Sequence, residues 1–236
     1  WILLEKILQD IWKMNKKIIF TTGGTGGHIF PAINLMKYFS EKGNKILLVT
    51  DQRGQEFLEK YSKHKSIIIK TSSPTNKNLI KKLFSFKIIF FAILKSILII
   101  IKEKINLIFG FGGYVSFPIS YASKFFKVPL VIYESNSVLG RANKNLSPIA
   151  KKILLGIKTP ENFAQKYQNK TFLIGNILNK DIMDHLNNKN NKIFSILVLG
   201  GSQGAKIFGE IIPPVIKMIK DKGYVIQINQ LVIKVL

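Results

Sequence analysis

Short apolar runs alternate with helix-length patterns from residue 15 onward, and glycine-rich turns follow several of the runs. A chain built this way folds as a parallel sheet wrapped by helices, an α/β class. Strands are expected over 17–21, 45–50, 66–70, 106–109, 130–133, 152–155 and 171–174. Helices are expected over 31–42, 54–61, 79–103, 117–126 and 140–146. Pro31 and Pro118 suit a first helical turn, and Gly43 suits a C-terminal cap. With 47% apolar residues in 236, there is material for one sizeable core and little for two.

The run 187–192 (NNKNNK) reads as a linker. Beyond it the pattern restarts, with a strand over 194–199, a glycine turn, a helix over 205–222 and a strand over 224–228. This is the first β-α-β of a second Rossmann-like domain, and the residues after the linker are far fewer than the roughly 100–150 a domain takes. The expected organisation is an extension over 1–13, a first domain over 14–186, the linker, and an incomplete second domain over 193–236. Residues 1–13 have the spacing of a short amphipathic helix and precede Met14. They read as sequence upstream of a natural start, or else as a membrane-touching helix.

Charge narrows the partners. The formal net charge is +23, and only Arg53 and Arg141 are arginines. Nucleic-acid readers lean on arginine for base edges, so a lysine excess points away from nucleic acid and toward an anionic membrane surface or phosphorylated substrates. There is no cysteine, hence no disulfide and no thiolate metal site. The stretch 79–108 is the most apolar, but lysines interrupt it, which argues against a bilayer-spanning segment. Two readings of this helix stand: a thoroughly buried crossover, or an apolar patch resting on a membrane with lysines meeting anionic headgroups.

Chemistry concentrates in the turns. Gly23-Gly24-Thr25-Gly26-Gly27-His28 lies between a strand and a helix, where backbone N–H groups can approach a phosphate or sugar. It is neither a P-loop nor a good dinucleotide fingerprint. Asp51, ending the second strand, keeps a nucleotide-dependent oxidoreductase open. Gly110-Phe111-Gly112-Gly113-Tyr114-Val115-Ser116 repeats the arrangement, Tyr133-Glu134-Ser135-Asn136 ends a third strand at the same edge, and Gly200-Gly201-Ser202-Gln203-Gly204-Ala205 opens the second domain. Turns at the carboxyl ends of parallel strands can share one crevice.

In this order and spacing, GGTGGHIFPA, GFGGYVSFP and LGGSQGA resemble the signature stretches of the MurG family, from about residue 14 to 228. The resemblance implies a GT-B fold, with two Rossmann-like domains and an active site between them. It implies inverting transfer of N-acetylglucosamine from UDP-N-acetylglucosamine to undecaprenyl-pyrophosphoryl-N-acetylmuramoyl-pentapeptide (lipid I to lipid II). The place of action would be the cytoplasmic face of the bacterial inner membrane, as a peripheral protein, with no cofactor and no bound metal. By position, Thr25, Gly26, Gly27 and Asn136 match donor contacts, and Ser202 a diphosphate or uridine contact. His28 matches the candidate base for the acceptor's 4-hydroxyl, and Glu134 is the second candidate. A bland alternative for His28 is a helix-start residue satisfied by backbone.

The departures also carry expectations. Tyr133 and Ser135 replace two of the four residues of the family's His-Glu-Gln-Asn, and Asn179 stands where the family has a donor-side arginine. The chain therefore reads as truncated and inactive by itself. Other readings are a non-catalytic membrane-peripheral remnant that holds lipid-linked pyrophosphate, and the oxidoreductase.

Overall fold

The computed structural model describes residues 2–23, 25–61, 64–72, 78–158, 160, 163–178, 194–199 and 206–230. Two compact units are present, Trp1–Asn179 and Lys180–Leu236. The expected linker over 187–192 lies outside the described residues, as do Gly24, Asn179 and the whole Gly200–Ala205 turn with Ser202.

The first unit is a seven-stranded sheet of β1 (Lys17–Thr21), β2 (Lys45–Thr50), β3 (Lys65–Ile68), β4 (Leu107–Gly110), β5 (Leu130–Glu134), β6 (Lys152–Leu155) and β7 (Thr171–Leu173). The order is β3-β2-β1-β4-β5-β6-β7, and every pairing is parallel. It is the GT-B-like Rossmann arrangement, and its order reverses between β1 and β4, the point where ligands settle in open α/β sheets. β1, β2 and β6 coincide with the expected strands, because apolar runs bounded by lysine and turn residues mark their ends.

Alternation along the strands divides the core into two layers. Ile18 and Phe20 of β1 face α1 (Ile2–Leu8), α2 (Gly26–Glu41) and α3 (Gln52–Tyr61), joined there by Phe39 and Phe109. The Phe20 and Phe109 rings stack at 5.1 Å. Ile19 faces the other way, into the layer formed by α4 (Leu79–Glu103), α5 (Ser116–Ala122) and α6 (Arg141–Leu146). A 3-10 turn, Ser123–Phe126, ends the α5 segment, so the expected single helix over 117–126 is two pieces.

Residues 2–12, expected as an extension ahead of the domain, are built into it. Leu4, Ile7 and Leu8 of α1 are buried in the core. Glu5 accepts from the Tyr38 hydroxyl and pairs with Lys42 at 3.0 Å, and Asp10 pairs with Lys152 at 3.1 Å. Trp12 sets its ring edge-on to Phe39 at 5.0 Å and donates to Asn44. Leu4, Ile7 and Leu8 thus spend one face of α1 on the protein, while Ile2 and Leu3 stay exposed.

α2 begins at Gly26 and not at Pro31, so Pro31 sits inside the helix. Thr25 stands at the N-cap in extended conformation, and its carbonyl accepts from the N–H groups of His28 and Ile29. Pro31 has no N–H to return to the Gly27 carbonyl.

α4 is the longest element, 25 residues, or about 37 Å of helix. By length and composition Ile80–Glu103 could cross a membrane, so the interrupting lysines alone do not exclude a span. The helix is not the thoroughly buried crossover of the first reading, since only one side of it is covered. Ser85, Ala92, Ser96, Ile99 and Ile100 form a buried stripe, while Phe84, Phe90, Phe91, Leu98 and Ile101 are more than half exposed. In the second unit, β8 (Phe194–Val198) and β9 (Ile226–Gln230) pair in parallel on either side of α7 (Lys206–Asp221) in sequence.

Candidate functional site

The first glycine turn leaves β1 and the second leaves β4, its neighbour in the sheet, so both arrive at the switch point. They touch there through backbone. Gly112 and Gly113 have φ of +85° and +79°, and a Cβ on Gly113 would stand 3.2 Å from the Gly23 backbone. Only glycine satisfies both the left-handed conformation and that approach. Along the first turn Thr25 and Gly27 are exposed, and a Cβ on Gly27 would meet no protein atom within 4 Å. The Thr25 hydroxyl makes no cap hydrogen bond. The N-terminus of α2 therefore presents a hydroxyl, and N–H groups of Gly26 and Gly27 with no partner among the described residues, with the positive end of the helix dipole behind them.

His28 comes to the junction of the two turns. A Cβ on Gly112 would lie 3.3 Å from His28 Cε1 and 3.4 Å from Asn143 Nδ2, so the imidazole and the Asn143 amide flank the same glycine. Burial pushes the His28 imidazole below the ordinary histidine range, and the Glu134 carboxylate partly opposes this. The neutral imidazole is thereby favoured at neutral pH, the form that can accept a proton.

Glu134 is 2% exposed, and its carboxylate is already engaged. Oε1 accepts from the Asn136 backbone N–H at 3.1 Å and from Asn136 Nδ2 at 2.7 Å. Oε2 accepts from the Gly140 N–H at 3.0 Å and from Asn143 Nδ2 at 3.0 Å. Four donors around one carboxylate make it the anchor of the 135–140 loop, and they leave little room for a proton-transfer partner. Asn136 is exposed, held by Glu134 through both of its N–H groups.

Asn143 was not among the residues singled out from sequence. It is fully buried, its Nδ2 also donates to the Tyr133 carbonyl at 3.0 Å, and its Oδ1 has no partner among the described residues. The clue in the sequence is an amide on the buried side of a short helix, where a packing residue would be expected. Tyr133 turns its ring toward Phe111, and its hydroxyl accepts from the Ile177 N–H at 3.4 Å. A Cβ on Gly156 would come within 2.5 Å of the Tyr133 hydroxyl. Asp51 accepts from the Gly54 N–H at 2.9 Å and so caps α3, which gives its carboxylate a structural task. Thus Thr25, Gly26, Gly27, His28, Glu134 and Asn136 gather at one sheet edge, while Ser202 lies outside the described residues. No group of three or more His, Asp or Glu suited to a metal occurs among the described residues.

Residues 18–155 match the model of the glycosyltransferase family 28 N-terminal domain. The chain is 35% identical over 88% of its length to a UDP-N-acetylglucosamine–N-acetylmuramyl-(pentapeptide) pyrophosphoryl-undecaprenol N-acetylglucosamine transferase of Rickettsia canadensis, and spans 58% of that relative. A protein of the same name from Francisella tularensis is 37% identical over 91% of the chain, which spans 60% of it. Among solved structures, MurG of Acinetobacter baumannii shares the fold with a TM-score of 0.69 at 23% identity, over 93% of this chain and 69% of that one. The match to the family model covers more than half of the chain, and the chain belongs to glycosyltransferase family 28.

Proposed function

We propose that this chain is the acceptor-side part of an inverting N-acetylglucosaminyltransferase that uses UDP-N-acetylglucosamine and undecaprenyl-pyrophosphoryl-N-acetylmuramoyl-pentapeptide. The observation that carries the reading is the meeting of two glycine turns at the switch point with a desolvated histidine between them. The relatives' names supply the substrates.

In this reading the acceptor's 4-hydroxyl oxygen attacks C1 of N-acetylglucosamine from the face opposite the diphosphate. The C1–O bond to UDP breaks, the anomeric configuration inverts, and the hydroxyl proton passes to His28. Thr25, Gly26 and Gly27 aim N–H groups at the charge that develops on the diphosphate, the kind of stabilisation that usually dominates such a barrier. Asn136, held in place by Glu134, contacts the donor sugar, and Ser202 contacts the diphosphate or uridine. Glu134 acts through Asn136 and Asn143 rather than on the reacting atoms.

We infer a peripheral place on the cytoplasmic face of the inner membrane, and the exposed side of α4 supports the contact with a lipid surface that this place requires. Its exposed phenylalanines and leucines exceed the scattered apolar residues of an ordinary surface. Lys81, Lys82, Lys87, Lys95 and Lys102 on the same helix are exposed, each worth about 1 kcal/mol beside anionic headgroups. The function is tested by joining the chain after Gln227 to the donor-side remainder of a relative. Labelled N-acetylglucosamine should move to lipid I, and a folded fusion that binds UDP-N-acetylglucosamine but transfers nothing would refute the reading.

A further inference from the structure

An apolar pocket beside the second glycine turn has no task in the reaction as derived. It lies between α4, α5 and α6 with a volume of about 460 Å³, within the roughly 300–1,000 Å³ range of small-molecule sites. Ile89 and Ile93 of α4 face it from one side and Phe117 and Tyr121 of α5 from another. The two aromatic rings stack at 5.5 Å, so this wall is stiff.

Two lining residues tie the pocket to the site. Tyr114 follows Gly113 directly, and Arg141 follows Gly140, whose N–H is fixed by Glu134. Arg141 is exposed and in no ion pair among the described residues. It is one of only two arginines in a chain that otherwise uses lysine. A planar guanidinium grips a phosphate with two parallel hydrogen bonds, which a lysine cannot do. A bare phosphate would leave the apolar walls unfilled, and a plain hydrocarbon would leave the cation unused. An aliphatic chain ending in phosphate satisfies both.

We propose that this pocket takes the first prenyl units of the lipid-linked pyrophosphate acceptor, with Arg141 on the phosphate that carries the chain. The assignment rests on the acceptor reading above. The prenyl chain then leaves the bilayer before it reaches the crevice, and protein rather than lipid fixes the distance from pyrophosphate to His28.

The test is calorimetric titration of the 236-residue chain with inorganic pyrophosphate, geranyl pyrophosphate, farnesyl pyrophosphate and dodecyl phosphate. Affinity should rise at least about tenfold from pyrophosphate to farnesyl pyrophosphate, since each buried methylene adds to it. Ile89→Trp, which fills the pocket, should abolish that rise and leave pyrophosphate binding within about twofold. Phe117→Ala, which removes a wall, should reduce the rise if the tryptophan is not tolerated. Arg141→Gln should weaken pyrophosphate and farnesyl pyrophosphate alike, by about fivefold. Binding without length dependence, or a length dependence untouched by both pocket variants, would overturn the assignment. Dodecyl phosphate binding as tightly as farnesyl pyrophosphate would also overturn it, handing the pocket to membrane acyl chains. The glycosyltransfer reading fails separately: a completed enzyme that binds prenyl pyrophosphates by length yet moves no sugar loses the reaction and keeps the pocket.

Discussion

Burial keeps the His28 imidazole neutral to a lower pH than a free histidine, and this has two readable consequences. The acid limb of the kcat/KM profile of a completed enzyme should lie below about pH 6.5, the free-histidine value. Stability follows the same sign. Below about pH 6.5 the unfolded chain takes up a proton that the folded chain resists, so this contribution is lost as pH falls toward the lower folded value. Denaturant midpoints of the parent and His28→Gln chains at pH 7.5 and 5.5 check it, the parent losing more on acidification. Glu134→Gln swaps one acceptor edge for a donor facing N–H groups. It should cost about 1–3 kcal/mol in urea unfolding; an unchanged midpoint would remove Glu134 as the loop's anchor. The sequence displayed the glycines and His28, because few other tasks require such turns. It did not display that Glu134 is saturated by four donors, since two of them, the Gly140 N–H and Asn143 Nδ2, come from residues six and nine positions on.

Elements were legible where one periodicity rules. β1, β2 and β6 have the expected bounds, and α4 spans the expected 79–103, because apolar runs and caps agree there. Pro31 misled, since proline favours a first turn, whereas here the helix already runs from Gly26 and forgoes the bond from residue 31 to the Gly27 carbonyl. The role of α1 was hidden because a short amphipathic helix looks alike whether it covers a core or a membrane. Removing residues 1–13 should destabilise the domain by several kcal/mol, at about 1.5–3 for each buried leucine or isoleucine of α1. An unchanged urea midpoint would contradict its place in the core. For α4, co-sedimentation with anionic vesicles should fall steeply with salt as the screening length drops from about 10 Å at 0.1 M to about 3 Å at 1 M. Equal binding to neutral and anionic vesicles at every salt level would leave the lysines without a part in it.

At the scale of the whole molecule, the chain spans about three fifths of the relatives it matches. The first unit supplies a complete seven-stranded sheet, the two touching turns and His28. Among its described residues, the second unit has a parallel strand pair and a helix that exposes Ile207, Ile211, Val215 and Met218 at helical spacing, the apolar stripe such a helix ordinarily buries. Sequence placed this β-α-β by the same alternation that placed the first sheet. The most direct measurement is single-turnover transfer from UDP-N-acetylglucosamine to lipid I by the chain joined after Gln227 to a relative's donor side, with and without His28→Ala. The account predicts transfer that falls by about 10²–10⁴-fold in the variant while acceptor affinity changes less than about threefold. Turnover that survives the loss of His28 within about fivefold would contradict it.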